Sequence, residues 1–304
     1  MNTWKNRLLA AALAPLFLTA CRTAGAKIAA GAFAGSGDVM ARDGDPELVR
    51  AAVPFGLKTM EGLLTELPED DGLLLSLTSS FTQYAWAFVL QDADMDEMAG
   101  RSVEARAGHE RAKKLFLRAR DYGLRALELR YRGITARLLS ARDLAPALAL
   151  LEARDTPLLY WTAAAWALAI SNGKSDMKLV SELPAPVAMM RRGMALDDSF
   201  DQGAFQEFFV TYEGGRSPAD GGGAAVARAY LDRALQLSGG KKLGALVGYA
   251  ESALVQQQNR TEFERVLRQV LAADVNAAPE FRLANILAQR RARALLDHAD
   301  DLFT

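Results

Sequence analysis

The segments A-R-A-Y-L-D-R-A-L at 227–235 and F-E-R-V-L-R-Q-V-L at 263–271 carry one pattern twice. In the first, Ala227, Tyr230, Leu231, Ala234 and Leu235 fall at i, i+3, i+4, i+7 and i+8. In the second, Phe263, Val266, Leu267, Val270 and Leu271 hold the same places, 36 residues further on. That period matches an α-helix burying one face, so both segments are expected to be amphipathic helices. Weaker copies are Ala119, Tyr122, Gly123, Ala126, Leu127 and, earlier, Gly56, Thr59, Met60, Leu63, Leu64. Each copy is followed by a break and a second apolar helix: Gly72 to Leu90, Leu158 to Ile170 after a longer gap, Leu243 to Val255, and Phe281 to Leu296. A helix pair recurring about every 34 residues is the pattern of tetratricopeptide stacking. The usual Ala-x3-Phe is here Ala227-x3-Leu231, so the repeats are degenerate. No run of period-two alternation argues for strands. The expected class is all-α, a tetratricopeptide-like helical repeat array (an α-α superhelix), with a generic helical bundle as the competing arrangement.

The domain opens at Asp45-Pro46-Glu47, where an N-cap residue, a first-turn proline and a dipole-favoured acid coincide. Residues 45–304 are therefore read as the helical repeat domain. Ahead of it, Arg22 to Gly44 is rich in alanine and glycine and reads as a tether with one weak helix at most. Pro157 to Ser171 (P-L-L-Y-W-T-A-A-A-W-A-L-A-I-S) holds no charge. It is too short to span a bilayer and suits a helix buried on all sides. The glycine-rich stretch Gly214 to Gly223 is expected to be a mobile loop.

The N-terminus indicates where the chain works. Lys5 and Arg7 precede an uncharged run, Leu8 to Leu18, and then Leu18-Thr19-Ala20-Cys21. This matches a bacterial lipobox, with residues 1–20 as signal peptide and Cys21, the single cysteine, as the acylated residue. Several acyl chains on one residue meet the requirement for stable anchoring. Arg22 rather than aspartate follows the cysteine, so nothing argues for retention at an inner membrane. The expectation is a periplasmic lipoprotein, more readily at an outer membrane than an inner one. Without residues 1–20, 34 basic side chains face 37 acidic ones, which excludes a strongly basic nucleic-acid binder. With Cys21 lipidated, neither disulfides nor thiolate metal sites remain.

No catalytic constellation is legible. His109 and His298 are the two histidines, and neither has a nucleophile arrangement nearby in sequence. Asp92-x-Asp94-x-Asp96 resembles an EF-hand loop, but Glu97 and Val103 stand where glycine and the bidentate glutamate are required. A solvated acidic linker between helices is expected there. Gly239-Gly240-Lys241-Lys242 lacks the rest of a phosphate loop and reads as a turn. Neither an enzyme nor a cofactor is expected. The remaining candidates are aromatics with polar neighbours. Phe81, Tyr84 and Phe88 share a helix face, and Tyr160, Trp161 and Trp166 sit in the most apolar helix. Packing accounts for such residues; alternatively some of them wall a hydrophobic channel, with Gln83 and Gln256 to Gln258, Gln257 among them, as polar contacts.

Five segments together resemble a known family: G-D-P-E-L-V-R-A-A-V-P-F at 44–55, F-T-Q-Y-A-W-A-F-V at 81–89, L-F-L-R-A-R-D-Y-G-L-R-A-L-E at 115–128, the uncharged stretch at 157–171, and R-L-A-N-I-L-A-Q-R-R-A-R-A-L-L at 282–296. In this order they resemble the TRAP-transporter-associated T-component (TatT) lipoproteins. The resemblance implies an all-helical, tetratricopeptide-like periplasmic protein. Such a protein works beside the substrate-binding protein (P-component) of a tripartite ATP-independent periplasmic (TRAP) transporter, as adaptor or conduit for a small, hydrophobic solute. The alternative is an envelope scaffold that holds other proteins without a ligand. Self-association into a homo-oligomer stays open.

Overall fold

The first long helix starts where the sequence places it. The Asp45 carboxylate accepts from the Glu47 and Leu48 amides at 3.0 and 3.1 Å, and Pro46 occupies the first turn. In the computed structural model the described residues are 31, 36–142 and 144–303. Cys21 and the signal segment lie outside them. All described elements are helical, with no strand among the described residues. They run as α1 (Ser36–Ala41), α2 (Pro46–Glu66), α3 (Asp71–Met98), α4 (Ser102–Arg130), α5 (Ile134–Ser140), α6 (Leu144–Ala149) and α7 (Thr156–Ser171). After these come α8 (Met177–Ser181), α9 (Pro184–Leu196), α10 (Ala204–Gly214) and α11 (Ala224–Ser238). The last are α12 (Gly244–Tyr249, continued by a π turn over Ala250–Leu254), α13 (Arg260–Ala272), α14 (Arg282–Asp297) and α15 (Ala299–Leu302).

The chain packs each long helix on the next: α2 on α3, α3 on α4, α4 on α7, α7 on α9, α10 on α11, α12 on α13, α13 on α14. The two segments that open the sequence reading are α11 and α13. Ala227, Leu231 and Ala234 are buried in one, and Phe263, Val266, Leu267 and Val270 in the other. Leu267 is 0% exposed, while Arg268 lies on the outer face, paired with Glu264. Leu267→Ala is expected to cost about 2–5 kcal/mol and Arg268→Ala under about 0.5 kcal/mol. Equal shifts of the two variants in thermal unfolding would contradict this helix orientation.

The less regular centre contains a helix pair that the periodicity does not reveal, α9 and α10. Its helices approach closely because Gly193 has no side chain. A Cβ there would sit 2.3 Å from the Phe205 ring, and Phe205 is fully buried. Gly123 plays the same part between α4 and α7, facing Thr162.

Two expectations need correction. The segment 92–97 is not a linker, because α3 continues through a π turn at Ala85–Leu90 to Met98. Its aspartates are held from three directions: Asp92 by Arg50, Asp94 by Arg291 and Asp96 by Arg101. Neutralised acids no longer repel one another along the helix, so the helix persists. The 214–223 stretch is likewise pinned. The Gly223 amide donates to the Glu213 carbonyl at 2.7 Å, and Arg216 binds both the Glu213 carboxylate and the Asp220 carbonyl.

α3 is long and apolar enough to cross a membrane, but most of that stretch is buried within the protein. Its packing leads to the feature that shapes the molecule. α14, the last long helix, returns to pack on α1 and α2. Leu287 joins Val49, Ala87 and Phe88 in one apolar cluster, and Arg290 binds Glu47 at 2.9 Å. The row of helices therefore closes on itself.

Candidate functional site

The site is built on α7. Asp155 precedes its first turn, and Pro157 supplies the preset backbone angle. Its accessible residues recur helically: Pro157, Tyr160, Trp161, Ala167, Leu168 and Ser171, with Ala164 at the margin. This is one stripe along the length of the helix, and it carries no charge.

At the N-terminal end of the stripe the aromatics gather. The Tyr160 ring lies 5.0 Å from Trp161, 5.5 Å from Phe200 and 5.4 Å from Phe205, centre to centre. Beside them is a charged trio. Lys242 Nζ sits 3.2 Å from Glu207 Oε1 and 3.2 Å from Asp201 Oδ2, and donates to the Asp201 carbonyl at 2.9 Å. Asp201 and Gln202 both adopt left-handed backbone (φ 42° and 53°), which turns the Asp201 carbonyl and carboxylate together onto the ammonium. Burial works against the Lys242 charge, but Glu207 and Asp201 outweigh it and hold the ammonium above its ordinary pKa. Burial pushes the Glu207 carboxyl up, opposed by Lys242, and pushes the Tyr160 phenol up with help from the two acids.

Glu207 and Tyr160 are half-buried, and Tyr160 packs its ring against the main apolar core. The end of the stripe thus sets an aromatic edge beside one fixed ion pair. Two open hollows of about 360 and 370 Å³ lie elsewhere, on α9 with α10 and on α10 with α11.

The structure sorts the residues singled out from sequence into separate groups. Tyr160 and Trp161 share the accessible stripe of α7. Trp166 is fully buried on the opposite side of α7, its indole N–H donating to Glu182 at 2.9 Å under the Arg120 guanidinium. Tyr84 and Phe88 pair with each other 5.8 Å apart, and Phe88 is buried beneath Arg50. Gln83 and Gln257 are exposed. Glu207, Lys242 and Asp201 were not foreseen. Lys242 belongs to the segment read as a turn, which it is, with Gly239 and Gly240 at positive φ. Its partner Asp201 is 41 residues away, so no local pattern announces the pair.

The stripe and the helices around it fall within one matched region. A protein of Treponema pallidum (strain Nichols), described only as uncharacterized, is 28% identical over 270 residues, covering 87% of this chain and 82% of its own. The model of the TRAP transporter T-component family matches residues 42–303, from α2 through α15. With nearly all of its helical domain inside that match, the chain belongs to the TRAP transporter T-component family, a family of transporter-associated components.

Proposed function

We propose that the protein is a lipid-anchored periplasmic component that works beside the substrate-binding protein of a TRAP transporter and receives a small amphipathic solute along the α7 stripe. The observation that carries this reading is the stripe itself: an uncharged accessible face, ending at Tyr160 and Trp161 against the Lys242–Glu207 pair. Membership of the family supports the association with a transporter. The consecutive helix pairs support a degenerate tetratricopeptide-like array. The lipobox supports the anchor. A scaffold without a ligand is favoured by a different observation, the exposed Leu48 and Phe55 on one outer face of α2.

Glutamine substitution separates the two. Trp166→Gln should lower the melting temperature markedly, because a buried amide costs about 1–3 kcal/mol beyond the lost packing. Trp161→Gln should melt near the wild type, since its amide meets water, while retention of a co-purifying small molecule in native mass spectrometry falls. Equal destabilisation by both, with no change in bound solute, would leave the scaffold reading in place.

The anchor has its own test. Cys21→Ser is expected to abolish incorporation of a fatty-acid analogue, because the thiol is the acylation site. Equal label on variant and wild type would end the lipoprotein assignment.

A further inference from the structure

Away from the α7 stripe, three metal-ligating side chains converge at the elbow between α3 and α4. Asp94 and Glu97 lie three residues apart near the end of α3, so both can face α4. His109 comes from an early turn of α4. One ligand atom from each lies within 4.8 Å of the other two. His109 Nε2 is 3.2 Å from Glu97 Oε2 and 3.8 Å from Asp94 Oδ1.

Hydrogen bonds behind the imidazole decide its tautomer. The Asn172 amide donates through Nδ2 to the Leu168 carbonyl at 2.9 Å. Its Oδ1 is therefore the atom that meets His109 Nδ1 at 3.0 Å, and an amide oxygen only accepts. Nδ1 must carry the proton. In the neutral ring, Nε2 then aims a lone pair at two carboxylate oxygens, with no donor between the three acceptors. Nearby, Arg291 divides its guanidinium between two carboxylates, Asp94 and Glu251.

We infer that Asp94, Glu97 and His109 form a binding site for a divalent transition-metal ion of the zinc class. Tetrahedral zinc with bonds of about 2.0–2.1 Å places its ligand atoms roughly 3.3 Å apart. The two histidine separations bracket that spacing, and Glu97, 72% exposed, is free to close the third edge. One imidazole with two carboxylates suits zinc better than calcium, which takes oxygen alone. Asn172 is the positioning residue, holding the ring in the ligating tautomer as the partner of a metal-bound histidine ordinarily does. Arg291 occupies Asp94 Oδ2, which leaves Oδ1 toward the ion. An ion here ties α3 to α4 beside the seam where α14 closes the array.

The test is a Zn²⁺ titration of the full-length chain in detergent, stripped with a chelator and read by competition with a chromogenic chelator. One equivalent should bind. His109→Ala should weaken binding by at least about 100-fold, as expected for loss of a ligand, and His298→Ala should leave it unchanged. Asn172→Ala should weaken it by about 10-fold or more while the metal-free melting temperature stays close to wild type. Glu97→Gln, at an exposed position, covers the case in which His109→Ala fails to fold, and should also lose about 10-fold or more in affinity. Absence of zinc binding by the wild type, or wild-type affinity in both His109→Ala and Glu97→Gln, overturns the site.

Discussion

Asp155→Ala is expected to destabilise the protein by about 3–5 kcal/mol, the range for breaking a buried ion pair. Asp155 is 0% exposed and sits at the head of α7. Its carboxylate accepts from the Tyr131 hydroxyl at 2.6 Å and from the Glu152 amide at 2.9 Å, and it pairs with Arg130. Removing it strands three donors and releases the start of the helix that carries the stripe. Burial raises the Asp155 pKa, but the Glu152 amide, Tyr131 and Arg130 outweigh it and hold the carboxyl below its ordinary value. A lowered folded pKa means stability that is present above the unfolded value and lost as pH falls through the folded one. Wild-type stability should therefore drop as pH falls below about 4, and Asp155→Asn should flatten that part of the profile. Chemical denaturation of both proteins between pH 7 and pH 3 reads this directly. Parallel profiles would remove Asp155 from the acid transition.

Arg291→Met is expected to loosen α14 from the end of α3, at a cost of about 3 kcal/mol or more at pH 7. Arg291 is buried to 9% exposure and binds Glu251 and Asp94, so its loss leaves Asp94 charged, half-buried and unpaired. Asp94 is pushed up to about 6 by burial, with Arg291 opposing. For a raised folded pKa the stability contribution is full below the unfolded value and is lost as pH rises through the folded one. Loss of Arg291 raises that pKa further, so Asp94 takes up a proton at mildly acidic pH. The deficit of Arg291→Met should accordingly shrink between pH 7 and pH 5. Hydrogen exchange should localise the remaining weakness to α14 and the end of α3. A deficit independent of pH would show that this contact is held by Leu287 and its apolar neighbours rather than by charge.

The two predictions concern contacts of different legibility. Asp155 stands next to Thr156-Pro157, and a helix start there can be read from the residues alone. Arg291 cannot be matched to Asp94 by any local rule, because nearly two hundred residues separate them. Trp161 and Trp166 make the same point within one helix. Five residues apart in an uncharged stretch, they are equivalent by composition. Only the neighbours Glu182 and Arg120 on one side, and Tyr160 with Phe200 on the other, distinguish a core indole from a partly exposed one. The α9 and α10 pair escaped the periodicity because Met189, Met190 and Gly193 make a weak apolar stripe, whose packing depends on the Phe205 ring lying against Gly193.

The sequence by itself determined that the protein is helical, which faces of α11 and α13 are buried, where α2 begins, and which family the chain resembles. Those follow from helical period and capping, properties of one helix and its own ends. The tertiary structure alone decided that the array closes on itself, that the acids of 92–97 stay helical, and that Lys242 meets Glu207 beside Tyr160. Those outcomes depend on which helix each side chain meets. The decisive partners lie tens to hundreds of residues away in the chain, where no local pattern encodes them.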